Sequence, residues 1–265
     1  MASRLVEKLR DGKTALGLYI NSPDMVDPCG HLGLDWFMID QMFTSNDWSK
    51  TEALMHTGDA AGITPVVRVQ SNPWLGYDHR IAVDVSRALG IGLQCVLISN
   101  SGRKEIDECV EVSHDWHRKA MSIHPYSDFS EWGTVHDRTV EDTYVIPQPE
   151  TKEALDDIED MITSSGVKAV FIAMTDASRV LTDSHEPNFY DPRLWEYVDR
   201  AVELGREHGV AIGANTSYAY DLVEIRKRVE HLQEHGVQMI MAQGANFLFQ
   251  VAMTQFMREL EAVLS

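Results

Sequence analysis

The chain has 265 residues, 44% hydrophobic and 24% charged, which fits one barrel-sized domain able to bury a large core without covalent staples. Its formal charge of −18 argues against a nucleic acid or an anionic lipid surface as partner. An anionic substrate would need a local positive centre, from a bound cation or a well-placed arginine.

Short apolar runs alternate with longer helical patterns along the whole chain. Residues 1–10 form a charged amphipathic start rather than a signal peptide. Strands are expected at 15–20, 36–40, 65–69 and 94–99, with helices at 24–32, 48–61, 81–89 and 103–117 after them. Further strands are expected at 143–148, 169–174, 211–214 and 238–242, with helices at 152–164, 192–208, 219–235 and 246–264. Residues 178–191 read as a long loop, on the turn residues Asp183, Pro187 and Asp191. The strands are continuous apolar runs, as when both faces of a parallel sheet are buried. Eight such units imply a single closed (β/α)8 TIM barrel across residues 1–265. A doubly wound open sheet would instead show a Gly-rich turn after the first strand, and Asn21-Ser22-Pro23-Asp24 is not one.

No apolar run is long enough to cross a bilayer. The three cysteines, Cys29, Cys95 and Cys109, match no zinc spacing and read as reduced thiols of a cytoplasmic protein, with Cys95 in the core. Residues 123–142 are polar and rich in histidine and aromatics, and are read as an active-site loop before the fifth strand.

Polar residues at the carboxyl ends of barrel strands are the candidates for chemistry. Asp40 closes Trp36-Phe37-Met38-Ile39-Asp40, and Arg68 lies in Val66-Val67-Arg68-Val69. Gln148 and Glu150 close the fifth run, and Asp176 closes the sixth. Two carboxylates atop adjacent strands repel unless they share a proton or a cation, and with water and substrate oxygens they suit Mg²⁺ or Mn²⁺. Alternatively each acid caps the helix that follows it. Arg68 is either a clamp on substrate oxygen charge or the ion-pair partner of Asp40.

Read together, Leu16-Gly17-Leu18-Tyr19, Gly33-Leu34-Asp35-Trp36-Phe37-Met38-Ile39-Asp40, Pro65-Val66-Val67-Arg68-Val69, Gln148-Pro149-Glu150-Thr151 and Val170-Phe171-Ile172 through Asp176 resemble the HpcH/HpaI class II 2-oxo acid aldolase family, whose barrels are of the phosphoenolpyruvate/pyruvate-binding type. The resemblance implies a divalent metal (Mg²⁺, Mn²⁺ or Co²⁺) on Glu150 and Asp176, and Arg68 facing the ketone or enolate oxygen. It further implies Gln148 beside the pyruvate unit and the backbone of Ala173, Met174 and Thr175 at the pyruvate carboxylate. There the family reads Gly-Pro-Ala-Asp, so the loss of the glycine narrows or reshapes that pocket. It also implies a homo-oligomer, trimer or hexamer, with the last helix packed on a neighbour; a core helix closing the barrel is the other reading of that helix.

The chain departs from the family after the second strand. Where the family has Ile-Asp-Gly-Glu-His, this chain reads Ile39-Asp40-Gln41-Met42-Phe43, and a second family acid is placed at Gly90. The metal and enolate half therefore remains, while the acid–base half does not. Replacement proton carriers are sought in His124, His79, Tyr126 and His136, each also readable as a solvated loop or surface residue. Met42 and Phe43, with Trp74, Tyr77 and Trp132, suggest a bulky or aromatic aldehyde, although the tryptophans also suit loop or subunit packing. The expected reaction is metal-dependent cleavage of a 4-hydroxy-2-oxo acid to pyruvate and an aldehyde. A decarboxylase, hydratase or isomerase using the same enolate chemistry, or a non-catalytic metal and oxo-acid binder, are the alternatives.

Overall fold

A computed structural model describes residues 3–69, 79–115, 137, 139–219 and 221–264. Eight parallel strands run β1 (Ala15–Tyr19), β2 (Trp36–Asp40), β3 (Thr64–Val69), β4 (Cys95–Ser99), β5 (Tyr144–Gln148), β6 (Ala169–Ile172), β7 (Ala211–Asn215) and β8 (Met239–Gly244). Their order, β5-β4-β3-β2-β1-β8-β7-β6, brings the two ends of the sheet together, since β5 also packs against β6. The result is a nearly closed (β/α)8 barrel. Among the described residues, β5 and β6 share no hydrogen-bonded ladder, whereas every other neighbouring pair does.

The helices are α1 (Arg4–Arg10), α2 (Pro23–His31), α3 (Trp48–Ala61), α4 (Arg80–Ile91), α5 (Arg103–Asp115), α6 (Lys152–Asp156), α7 (Ile158–Ser164), α8 (Met174–Thr182), α9 (Pro192–His208), α10 (Leu222–Glu234) and α11 (Ala245–Leu264). Side-chain oxygens of Asp47, Thr151, Asp191 and Asp221 cap α3, α6, α9 and α10 by accepting first-turn N–H groups. Two apolar clusters divide the core. The larger fills the layer between strands and helices; the smaller fills the barrel itself. Inside the barrel Trp36 meets Phe171 edge to face, ring centroids 6.3 Å apart. Room for those rings comes from Gly17 and Gly213, where a Cβ would stand 2.2 Å from Trp36 and 2.7 Å from Phe171. Helix α1 plugs the amino end with Leu5, Val6 and Leu9, and its Arg4 and Lys8 pair with Asp35 at 3.0 and 2.7 Å.

All eight expected strands form, most within a residue or two of the expected bounds. Two segments differ. The expected helix 152–164 breaks at Asp157 into α6 and α7. The expected loop 178–191 begins as a helix, because the sixth strand stops at Ile172 and α8 runs through Thr182, ending at Asp183 with φ +51°. Val180 and Leu181, half-buried against the core, give α8 the apolar face that the later turn residues masked.

Candidate active site at the carboxyl ends of the strands

Parallel pairing sets Asp40 and Arg68 side by side in register at the carboxyl ends of β2 and β3. Arg68 Nε donates to Asp40 Oδ1 at 2.8 Å, with the Asp40 side chain fully buried. The ion-pair reading of Arg68 is therefore the one the structure displays, with Asp40 as its partner. Asp40 also accepts from the Tyr19 hydroxyl, from Met42 N–H at 3.0 Å and from Phe43 N–H at 3.1 Å. Burial works to raise its pKa, but the hydrogen bond and charge of Arg68, helped by Tyr19 and Met42 N–H, outweigh it and hold the carboxyl below the ordinary range. Phe43, well exposed, lies under the guanidinium of Arg68, whose Cζ is 5.0 Å from the ring centroid. Asn46 and Thr44 bond the Asp40 carbonyl and shape the turn that carries Met42 and Phe43.

Across the barrel mouth stand two carboxylates. Glu150 lies two residues beyond β5 and Asp176 in the first turn of α8, so neither ends a strand as expected. The cap of α6 is Thr151, not Glu150, which frees Glu150 from a capping role. Gln148, buried at the end of β5, donates through Nε2 to Glu150 Oε1 at 2.6 Å and accepts from Ser99 Oγ at 3.2 Å. The side chain of Asn100 also hydrogen-bonds Glu150. Burial, then the charge of Asp176, push the Glu150 carboxyl up to about 7, against the pull of Arg68 and Asn100. Burial likewise raises Asp176, against Arg179 and Arg68. Two half-buried acids that repel each other, each lacking an ion-pair partner among the described residues, present the oxygen donors that a hard divalent cation takes, with remaining positions left to water or substrate. The donor set fits such an ion. Among the described residues no third acid, histidine or cysteine completes a protein-only cluster.

The start of α8 faces the same mouth. Ala173 occupies its N-cap position, and Met174 N–H is already bonded to Asn215 Oδ1 at 3.1 Å. The Thr175 hydroxyl pairs with that of Ser217 at 2.8 Å. Asn100 and Ser217 each lie just beyond a strand with positive φ, 51° and 54°, the left-handed conformation that turns the chain sharply at the rim.

Several expected residues fall elsewhere. His124, Tyr126, His136, Trp74, Tyr77 and Trp132 lie outside the described residues. The segment containing His124 was expected to be an active-site loop, but it joins α5 to β5. Its described flanks therefore stand at the amino ends of the strands, opposite Arg68 and Glu150. Gly90 lies in the last turn of α4, also toward the amino end of its own barrel. His79 is exposed at the start of α4 and caps nothing with its side chain. Sequence reasoning overlooked Tyr19, Ser99, Asn100, Asn215 and Ser217. Tyr19, Ser99 and Asn215 end their strands, and Asn100 and Ser217 come one and two residues later, so the strand-end rule that picked Asp40 would have found them.

A profile of the HpcH/HpaI aldolase/citrate lyase family matches residues 14–244. The 2-keto-3-deoxy-L-rhamnonate aldolase of Shigella boydii serotype 4 (strain Sb227) is 24% identical over 222 residues, covering 78% of this chain and 76% of that protein. The 2-dehydro-3,6-dideoxy-6-sulfogluconate aldolase of Pseudomonas putida is 23% identical over 197 residues, covering 72% and 73%. In fold, the chain is similar to the crystal structure of the HpcH/HpaI aldolase from Desulfitobacterium hafniense DCB-2, with a TM-score of 0.77 at 21% identity over 96% of this chain and 95% of that one.

Proposed function

The chain belongs to the HpcH/HpaI aldolase/citrate lyase family, and we propose that it is a metal-dependent aldehyde-lyase cleaving the C3–C4 bond of a 4-hydroxy-2-oxo acid to give pyruvate, or a related 2-oxo acid, and an aldehyde. The observation that carries this reading is Arg68, pinned by Asp40 at 2.8 Å, facing the charges of Glu150 and Asp176 across one barrel mouth. Glu150 and Asp176 would hold the divalent cation, Mg²⁺, Mn²⁺ or Co²⁺. When bound, that ion supplies Lewis-acid polarisation of the 2-oxo group.

The protein residues do the rest. Arg68 stabilises negative charge as it develops on the ketone oxygen, and the four bonds to Asp40 keep its guanidinium aimed. Gln148, bonded to Ser99 and Glu150, fixes the orientation of the Glu150 carboxylate beside the pyruvate unit. The substrate carboxylate is received at the start of α8, where the helix end favours an anion. Met174 N–H is taken by Asn215 and the Thr175 hydroxyl is bonded to that of Ser217, so the Thr175 backbone N–H is the group of the Ala173–Met174–Thr175 stretch that would meet it. Phe43 offers an apolar wall for the aldehyde portion.

Helix α11 supports a homo-oligomer. Phe249, Met253, Phe256, Met257 and Leu260 are all exposed along it, a stripe that water leaves unpaid and a neighbouring subunit of a trimer or hexamer would cover. Ala245 is buried and Phe247 and Leu248 are half-buried against the core, while the described residues of α11 from Ala252 on are exposed, which favours the outward reading over a barrel-closing helix.

The test is deuterium exchange at C3 of pyruvate in D₂O with Mg²⁺, Mn²⁺ or Co²⁺, followed by addition of aldehydes. Exchange, new C–C bond formation and loss of both in Glu150→Ala are expected. Binding of pyruvate with no exchange would point instead to a non-catalytic binder. Phe43, standing where the family carries histidine, favours one second reading: exchange without any aldol product would mark a 2-oxo acid decarboxylase, hydratase or isomerase.

A further inference from the structure

We propose that Tyr19 is the proton relay of this site, passing a proton between substrate C3 and Asp40; the inference rests on the aldolase reading above. The reaction must move a proton at C3, and the described residues of the barrel mouth offer few groups able to do so. Glu150 and Asp176 are committed to the cation, Arg68 does not release its proton at neutral pH, and Phe43 has none to give. Tyr19 ends β1, directly beside β2 in the sheet, and its hydroxyl donates to Asp40 Oδ2. Oδ1 of the same carboxylate accepts from Arg68 Nε. The phenol and the guanidinium therefore hang on one carboxylate, which sets Tyr19 within a side chain's reach of whatever Arg68 binds.

The phenol is also held from behind. Asn46 Nδ2 donates to Asn21 Oδ1 at 2.8 Å, and the Asn21 side chain in turn bonds Tyr19. A phenolic oxygen has one O–H and two lone pairs. The O–H is spent on Asp40 and one lone pair on Asn21, which leaves one lone pair. Tyr19 is only partly buried, and the proposal gives that lone pair to the substrate.

The step balances without any further reagent. The C3–H bond breaks and its electron pair enters the C2–C3 bond as the C2=O pair moves onto oxygen, forming the enolate. The C3 proton bonds to the Tyr19 oxygen while the Tyr19 proton passes to Asp40 Oδ2. Tyr19 ends as it began, and the negative charge has moved from Asp40 to the enolate oxygen. Arg68 contacts the first and faces the second, so its partner changes and its charge stays compensated. In the cleavage direction Asp40 first takes up, through Tyr19, the proton that the 4-hydroxyl loses as the aldehyde forms, and the transfer above run backwards then returns it to C3 of the enolate that C3–C4 cleavage leaves behind.

The experiment uses the full-length protein with Mn²⁺ and pyruvate in D₂O, comparing the unaltered enzyme, Tyr19→Phe, His79→Asn and the protein carrying 3-fluorotyrosine at position 19. Mn²⁺ and pyruvate affinities are measured alongside by titration. C3 exchange in Tyr19→Phe is expected to fall by about 100-fold or more with both affinities kept. His79→Asn is expected to exchange normally. The fluorotyrosine protein is expected to regain exchange, with the alkaline limb of its pH profile displaced downward, because the relay needs the phenolic O–H. Undiminished exchange in Tyr19→Phe, an unmoved limb, or loss of pyruvate affinity together with exchange would each overturn the relay while leaving the aldolase reading in place. Absence of exchange in the unaltered enzyme would overturn both.

Discussion

Replacing Glu150 by Gln in the metal-free protein should stabilise it at pH 8. In the fold the carboxyl is displaced from 4.5 to about 7 by burial and by Asp176. The unfolded chain loses the proton first, so folding carries a penalty that is absent below about pH 4.5, grows up to about pH 7 and is then constant. At about 1.4 kcal/mol for each tenfold change, the full penalty at pH 8 is about 3 kcal/mol, falling to about 1 kcal/mol at pH 5.5. Gln removes the charge and keeps an oxygen to accept from Gln148. Urea unfolding in chelator, at both pH values, should therefore show Glu150→Gln more stable by that margin at pH 8 and by less at pH 5.5. Saturating Mn²⁺ should reverse the ranking, because with Glu150 as the proposed ligand the unaltered protein would be the one the ion stabilises. A variant less stable than its parent at pH 8, or a difference independent of pH, would refute the argument that a like-charged, desolvated pair awaits a cation.

Three more outcomes are expected. Gly17→Ala drives a methyl to 2.2 Å from Trp36 inside the barrel and should cost about 2 kcal/mol in urea unfolding, whereas Gly90→Ala meets open space within α4 and should gain up to about 1 kcal/mol. Phe256→Glu places a charge in the exposed stripe of α11 and should convert the proposed homo-oligomer to smaller species by light scattering, with the far-UV spectrum unchanged. In aldol addition, aryl aldehydes should react better than short acidic ones, and Phe43→Ser should narrow that preference by about tenfold, as the loss of an apolar wall predicts.

The barrel was legible because burial on both faces writes each strand as an unbroken apolar run, as in Val96-Leu97-Ile98 or Val170-Phe171-Ile172, with a polar residue where the run meets water. That boundary picked out Asp40, Gln148 and Glu150. It misled at Asp176, since an apolar run says nothing of the point at which strand geometry gives way to helix, and here the switch at Ala173 depends on Asn215, 41 residues further on from the Met174 N–H it accepts. The same limit hid Tyr19, whose meaning lies in a hydroxyl meeting Asp40 across two strands. The irregular segment around His124 was singled out by composition alone, and His124 lies outside the described residues.

The missing ladder between β5 and β6 has a mechanical consequence. Glu150 follows one of these strands and Asp176 follows the other, so the ion proposed for them would act as a clasp on the hoop at its most loosely laced seam. Loading the site would then tighten the staves themselves, and amide protons along 144–148 and 169–172 would slow their trade with solvent as the substrate's anchor arrives.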